Sequence, residues 1–352
     1  MPRNPFRAWS PNSNPDGIEA LFAPLFAEQR AAAPASWRPI NYAPAVGSTK
    51  ALIEARFASG MSSALKALVP HGPAIARWQA STDVNHPLYW ARESCFFKNP
   101  ASQVASTAFR PVRCLDQVRT SEQILMRFEW VEGTPGSEWR VSDYEQAAYA
   151  LGTWQRTIKC LPNAPWVCPD WLGGYLALRE GALASLSEPA LWSRHNAFSI
   201  QEQELVSQCL ERLQGLREQL HACQKLPAHN DFWPPNLFMS QGQLVAIDWA
   251  FVGPAAMGSD IVTLLFDAIY DGFLRPSDSN TLLTQIKRAY AEGAEITDDS
   301  SLEFALHAGL VVKYLWFFAH VLSSDEEIRR SQLEALQLVL SSARTLNQIN
   351  KL

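Results

Sequence analysis

The feature that most constrains this chain is a strand–turn–strand signal set inside a half that otherwise reads as helix. Asn236 to Ala250 carries two short strand-like runs, Leu237 to Ser240 and Leu244 to Trp249, around the turn formers Gln241-Gly242, the pattern of a tight hairpin. On either side apolar residues recur at helical spacing, over Ser142 to Ile158, Leu172 to Leu186, Ile200 to Gln219 and several segments from Asp260 onward. A lone hairpin packs poorly among helices, so its retention points to a site. The polar residues sit where its strands begin and stop: His229-Asn230-Asp231-Phe232-Trp233-Pro234-Pro235-Asn236 before it and Ile247-Asp248-Trp249 at its end.

The first part of the chain has a different rhythm. After an irregular lead-in rich in Pro, Asn and Ser, Gly17 to Ala33 suits a short helix. From Trp37 to Leu68, strand-compatible runs at Ala51 to Ala58 and Ala64 to Val69 alternate with turn formers at Gly47-Ser48 and Ser59-Gly60, which predicts a small antiparallel sheet. Leu88 to Lys98 reads as a helix limited by Pro100, Phe109 to Leu115 as a pre-strand segment, and Gln123 to Val131 as a further strand. The change of periodicity places a boundary at Glu132-Gly133, dividing the chain into 1–132 and 133–352.

Composition removes several function classes. With 352 residues and 47% hydrophobic content the chain can bury a sizeable core. Its 30 basic and 35 acidic residues are interspersed, with a net charge of -5 and no basic block, which argues against nucleic acid as partner. Cys95, Cys114, Cys160, Cys168, Cys209 and Cys223 are widely spaced, the usage of reduced thiols in a cytoplasmic protein. Met1 to Asn14 lacks the pattern of a secretion signal. The longest apolar stretch, Ala305 to Leu322, is interrupted by His307, Lys313 and His320 and is expected to be a buried helix, not a membrane span.

The residues around the hairpin suit phosphoryl transfer. That chemistry asks little covalent work of a protein, but it needs a carboxylate to orient and accept a hydroxyl proton, and oxygen ligands that hold magnesium on the phosphates. Asp231, Asn236 and Asp248 supply that set. A five-residue step on a tight loop turns Asp231 toward the acceptor and Asn236 toward the metal, and the hairpin returns Asp248 beside Asn236. One amide oxygen and one carboxylate are a reasonable protein share of a magnesium shell.

At these residues the sequence resembles the aminoglycoside phosphotransferase and choline kinase-like family, whose catalytic loop reads His-x-Asp-x-x-x-x-Asn and whose metal motif is a hydrophobic residue followed by Asp-Trp or similar. The resemblance implies a two-lobed protein kinase-like α+β fold, with a small antiparallel-sheet lobe, a larger helical lobe and a nucleotide, ATP or GTP, between them. It implies that Asp231 is the catalytic base, that His229 supports its loop, and that Asn236 and Asp248 bind Mg2+. Asp260, in Gly258-Ser259-Asp260, matches the acidic residue that opens the family's next helix. There are departures: Asn230 and Pro235 stand where Gly is common, and Trp233 where His is frequent.

Signals in the first part are fewer. Lys66, in the apolar run Ala64 to Leu68, stands where the family carries the lysine of the α- and β-phosphates, with Lys50 as its competitor. Glu93 resembles the helical glutamate that pairs with it. Ser48 and Thr49, in the turn Val46-Gly47-Ser48-Thr49, would cover the phosphates, and Glu129 to Gly133 resembles the hinge that holds the adenine edge. No Gly-x-x-x-x-Gly-Lys-Ser/Thr string occurs. The expected partner is a small-molecule hydroxyl substrate, such as an aminoglycoside, amino-alcohol or sugar, for a monomer or homodimer with no membrane attachment. A nucleotide-binding pseudokinase without turnover is the alternative. Trp316, Phe317 and Phe318 near Lys313 read as a packed core helix.

Overall fold

The computed structural model of the chain describes residues 15–27, 33–40, 45–72, 78–158, 161–193, 197–324 and 330–349. The lead-in Met1 to Asn14, Cys160 and the acidic run Asp325-Glu326-Glu327 lie outside these residues.

Helix α1 (Pro15–Ala27) precedes strands β1 (Ser36–Pro39), β2 (Thr49–Arg56) and β3 (Ser62–Leu68), followed by helix α2 (Arg92–Lys98). Strands β4 (Phe109–Pro111), β5 (Cys114–Arg119) and β6 (Ile124–Glu129) come next. The first sheet is antiparallel, in the order β1-β2-β3-β6-β5. Because side chains alternate across a strand, Leu65 and Ala67 of β3 pack with Phe22 and Leu25 of α1 on one face. Lys66 is thereby carried to the opposite face, opposite Met126 of β6 in the ladder, where Leu68, Met126 and Phe128 form a second cluster.

The chain then runs through β7 (Thr134–Pro135) and the helices α3 (Val141–Ile158), α4 (Trp171–Ala177), α5 (Glu180–Ser185), α6 (Pro189–Trp192), α7 (Ile200–Glu211) and α8 (Leu213–Ala222). Strands β8 (Lys225–Ala228), β9 (Leu237–Ser240), β10 (Gln243–Ala246) and β11 (Gly253–Ala256) follow. Helices α9 (Ser259–Tyr270), α10 (Ser279–Ala294), α11 (Asp299–Tyr314), α12 (Phe317–Ser323) and α13 (Arg330–Ile349) complete it. This is the mixed α+β architecture, a small antiparallel sheet followed by a helical region, that the sequence predicts. Backbone contact between α3 and α10 depends on glycine: a Cβ on Gly152 would lie 2.6 Å from the Tyr290 carbonyl oxygen, and one on Gly293 2.2 Å from that of Tyr149.

The expected hairpin is present, with β9 and β10 antiparallel. Its turn residues Gln241 and Gly242 both have positive φ, 51° and 77°, the twist that matches paired strands. It does not stand alone among helices. β4 joins β10 in parallel and β7 joins β9, making a four-stranded sheet that draws Phe109 to Pro111 across from the earlier part of the chain.

Other boundaries differ from expectation. The first helix is described over Pro15–Ala27, the rest of its expected span up to residue 32 lying outside the described residues; the helix expected from Leu88 starts at Arg92, and Ile200 to Gln219 is broken at Arg212 into α7 and α8. The start at Arg92 has a tertiary cause. Its buried guanidinium donates to the carbonyls of Pro87 (2.6 Å), His86 (2.8 Å) and Trp166 (2.8 Å), holding the preceding residues in turns. Residues 299–323 are long and apolar enough to cross a membrane, yet 78% of that window is buried inside the fold. Within it α11 and α12 are separate helices, with a break at Leu315-Trp316.

Candidate active site

The loop that begins at His229 is fixed by main-chain hydrogen bonds from behind. Asp260 lies in the first turn of α9 and is 1% exposed. Its two carboxylate oxygens accept the backbone N–H groups of His229 and Asn230, each at 2.8 Å. The helix cap itself is Gly258, with φ 78°, and Asp260 in the first turn serves as a brace for the loop. Burial pushes the Asp260 carboxyl up to about 6, against the pull of those two N–H groups. Asn230 adopts φ 64°, a left-handed conformation that Gly and Asn tolerate best, which accounts for Asn where the family often has Gly. Its amide donates to the Phe251 carbonyl at 2.9 Å.

His229 is fully buried and both ring nitrogens are engaged. Nδ1 accepts the Asp231 backbone N–H at 3.3 Å, so Nε2 carries the proton and donates to the Ile247 carbonyl at 2.9 Å. Burial pushes its pKa down to about 4, and the neutral ring ties the loop to the end of the hairpin.

Asp231 and Asn236 meet directly. The Asn236 amide donates to the Asp231 carboxylate at 2.9 Å and to its backbone carbonyl at 3.0 Å, leaving the amide oxygen for another partner. Burial and then the Asp248 charge push Asp231 up to about 7, while Lys313 pulls it down. On the far strand, Ile247 N–H donates to the Asn236 carbonyl at 2.9 Å, which draws Asp248 beside the loop. β10 ends at Ala246, short of the expected Trp249, and Asp248 has φ 60°. A non-glycine residue in that region carries backbone strain of the kind found at functional sites.

The first sheet contributes the remaining charge. Lys66, 5% exposed, places Nζ 2.7 Å from Glu93 Oε2 and 3.0 Å from Asp248 Oδ1. Glu93 also accepts the Trp249 backbone N–H at 3.4 Å. Burial raises the Glu93 pKa, and Lys66 opposes that shift. Lys50, by contrast, lies exposed on β2.

Ser48 shares a small cleft with Lys66, Glu93, Phe251 and the side chains around Tyr89. Thr49 is buried at the start of β2 opposite Leu68. Glu129 closes β6, and its carboxylate is held by Arg110 and by Arg113, whose Nε donates at 2.9 Å. These bonds hold the Glu129 pKa low against the effect of burial.

The structure thus brings His229, Asp231, Asn236, Asp248, Lys66 and Glu93 into one continuous contact network and places Ser48 at its edge. Sequence reasoning missed Asp267, which acts on Asp231 and whose own pKa burial pushes up to about 7. It stands two helical turns beyond Asp260 on α9, so its spacing could have revealed it. Lys313, 8% exposed, bonds Thr263 and feels Asp267, Asp231 and Asp260, although it read as part of a core helix. Its aromatic neighbours Trp316 and Phe318 are buried as expected.

The model of the phosphotransferase enzyme family matches residues 65–298, from β3 to the approach to α11. The chain belongs to that family. No curated protein matches it significantly. Among solved structures, an aminoglycoside phosphotransferase from Alicyclobacillus acidocaldarius is 19% identical with a TM-score of 0.60, the match covering 99% of this chain and 100% of that one. Aminoglycoside 2'-phosphotransferase-IIIa, solved with GDP, gives 0.59 at 11% identity, covering 95% and 100%. Spectinomycin phosphotransferase, solved with ADP and spectinomycin, gives 0.57 at 12% identity, covering 96% and 100%. This phosphotransferase-family member therefore shares their kinase-like fold.

The donor set suits magnesium. Asn236 offers an amide oxygen and Asp248 a carboxylate that pairs with Lys66, both hard donors. Among the described residues no cluster of His, Cys, Asp and Glu would hold an ion unaided, so phosphate oxygens would have to complete the shell.

Proposed function

We propose that this protein transfers the terminal phosphoryl group of ATP or GTP to a hydroxyl of a small molecule such as an aminoglycoside, an amino-alcohol or a sugar. It would do so in the cytoplasm, with the nucleotide between lobes 1–132 and 133–352. The observation that carries the reading is Lys66 of the first sheet bonding both Glu93 and Asp248, 182 residues later in the chain. A buried lysine aimed by a helical glutamate and set beside a second carboxylate is the arrangement that serves a metal-bound polyphosphate in kinases.

In this mechanism Lys66 offsets charge on the α- and β-phosphates, and Glu93 fixes its direction. Asn236 and Asp248 would hold magnesium, which supplies charge neutralisation on the phosphates when bound. Asp231 orients the acceptor and takes its hydroxyl proton as the oxygen bonds to the terminal phosphorus and the bond to the bridging oxygen breaks, releasing the nucleoside diphosphate. His229, with both nitrogens engaged, holds the loop and moves no proton. Preorganised charge and position do most of the work.

The test is a phosphorylation screen of amino-alcohols, sugars and aminoglycosides with product detection, run on wild type and Asp248→Ala. A phosphorylated product that disappears with Asp248→Ala, together with weaker magnesium-nucleotide binding by calorimetry, is the expected result. Nucleotide binding without turnover on any acceptor class would favour the pseudokinase reading, and unchanged affinity in Asp248→Ala would remove Asp248 from the metal.

A further inference from the structure

Arg179, between α4 and α5, makes contacts that the proposed chemistry does not use. Its guanidinium carbon lies 3.9 Å from the ring centroid of Trp316, 4.4 Å from that of Trp78 and 5.2 Å from that of Tyr175. A planar guanidinium is suited to bind more than one aromatic face at once, and such contacts strengthen as water is excluded. The aromatic partners are locked to one another: Trp316 Nε1 donates to the Tyr175 hydroxyl at 2.9 Å, and Tyr175 packs edge-on against Trp78 at 6.3 Å.

The rings belong to distant parts of the molecule. Tyr175 lies on α4, and Trp316 follows α11, the helix that carries Lys313. Trp78 belongs to the first part of the chain, and its backbone is bonded to the turn that would cover the phosphates. Trp78 N–H donates to the Ala45 carbonyl at 3.1 Å, and Gly47 N–H donates to the Trp78 carbonyl at 2.8 Å. The same turn is pinned from its other side, where Val69 N–H donates to the Ser48 carbonyl at 2.8 Å. Gly72 approaches so closely that a Cβ there would sit 1.7 Å from the Gly47 oxygen. Ser48, next in the turn, lines the cleft of Lys66 and Glu93.

We infer that Arg179 is a positioning residue: held by Trp78 on one side of the cleft and by Trp316 and Tyr175 on the other, it clasps the Val46-Gly47-Ser48 turn to the helical lobe and keeps it closed over the nucleotide. The inference rests on the nucleotide-binding reading above and adds to it a cross-lobe contact outside the reacting groups. The clasp touches neither phosphate nor acceptor. It acts through the turn, so its loss weakens nucleotide binding while the chemistry at Asp231 keeps its machinery.

The experiment compares wild type with Arg179→Met, Arg179→Lys, Trp78→Leu and the double variant Arg179→Met/Trp78→Leu, measuring magnesium-nucleotide Kd by calorimetry, thermal midpoint and circular dichroism. Arg179→Met keeps the apolar stem and loses the planar cation; its Kd should rise about tenfold, the equivalent of losing one strong desolvated cation–π contact. Arg179→Lys should fall between the two. Trp78→Leu should match Arg179→Met, and the double variant should be no worse than either single change, because both remove one coupled contact. Unchanged nucleotide affinity in Arg179→Met, or single effects that add in full, would overturn the clasp, even with a lowered thermal midpoint. If Arg179→Met fails to fold, Arg179→Lys and Trp78→Leu carry the same comparison. Wild type that binds no magnesium-nucleotide would sink the phosphotransferase reading and the clasp together; binding by wild type and Arg179→Met alike sinks the clasp alone.

Discussion

Two lysines near the Asp231 loop are buried to nearly the same degree, and they are held in different ways. Lys66, 5% exposed, has carboxylate oxygens at 2.7 Å and 3.0 Å supplied by separate elements. Lys313, 8% exposed, bonds the Thr263 hydroxyl and experiences Asp267, Asp231 and Asp260 as a surrounding field. Burial lowers its pKa. The contrast teaches that the Lys66 cluster is built from direct charge pairs that fix atoms in place, whereas the Lys313 cluster balances charge loosely; on the proposed reading the first would face phosphate and the second the acceptor. Direct pairs suit a ligand of constant shape such as a triphosphate; a shared field leaves room for acceptors to differ.

Asp231 stands where the two sides meet, and its removal should have the largest effect. Asp231→Asn preserves shape and the bond from Asn236, so turnover should drop roughly 10²–10⁴-fold with nucleotide affinity nearly intact; steady-state kinetics beside calorimetry would show it. Substantial residual turnover would mean that the two sides do not converge on this carboxylate.

Lys66→Met leaves Glu93 and Asp248 as unmatched acids, one of them fully enclosed. The expected cost is roughly 3 kcal/mol in chemical denaturation, along with loss of nucleotide binding. Adding Glu93→Gln should restore much of the stability but not the binding. Equal stability of wild type and Lys66→Met would show that the pair is not the direct contact described.

Lys313→Met should cost less, about 1 kcal/mol, because the acid next to it can neutralise itself. Asp267 already has a pKa pushed up to about 7 by burial, and without Lys313 it rises further. A carboxyl whose folded pKa lies above its unfolded value loses stability as pH climbs between the two, so the deficit should be greater at pH 8 than at pH 6. Denaturation at both pH values checks the sign; an equal deficit would remove Asp267 from the account.

Lys50→Ala marks the lower end. Lys50 is exposed on β2, so stability should stay within about 0.5 kcal/mol and nucleotide affinity should not change. A large loss of affinity would transfer the phosphate role from Lys66 to Lys50.

The candidate site could be read from the sequence because its parts lie close together along the chain. His229, Asp231 and Asn236 share one loop, and the hairpin turn at Gln241-Gly242 returns Asp248 to it, so local geometry already implies convergence. Asn230 was visible as a departure from the family's glycine, and its φ of 64° supplies the reason. The Lys313 cluster was hidden for the opposite cause. Lys313 and Asp267 lie on different helices, each inside an apolar run where the periodicity marks core, and only the two-turn spacing of Asp267 from Asp260 marks it out; nothing local pairs it with Lys313. Arg92 was equally silent, since its acceptors are carbonyls of Pro87, His86 and Trp166, and any residue has a carbonyl.

By itself the sequence determined the sheet-then-helix order, the hairpin and the identity of the loop residues, because these follow from side-chain period and turn chemistry within short windows. Tertiary structure alone decided that Lys66 meets Asp248, that Phe109 to Pro111 joins the hairpin sheet, and that Arg179 contacts rings from both ends of the chain. Such contacts join residues far apart in sequence, and their energy depends on distance and burial that no local pattern encodes.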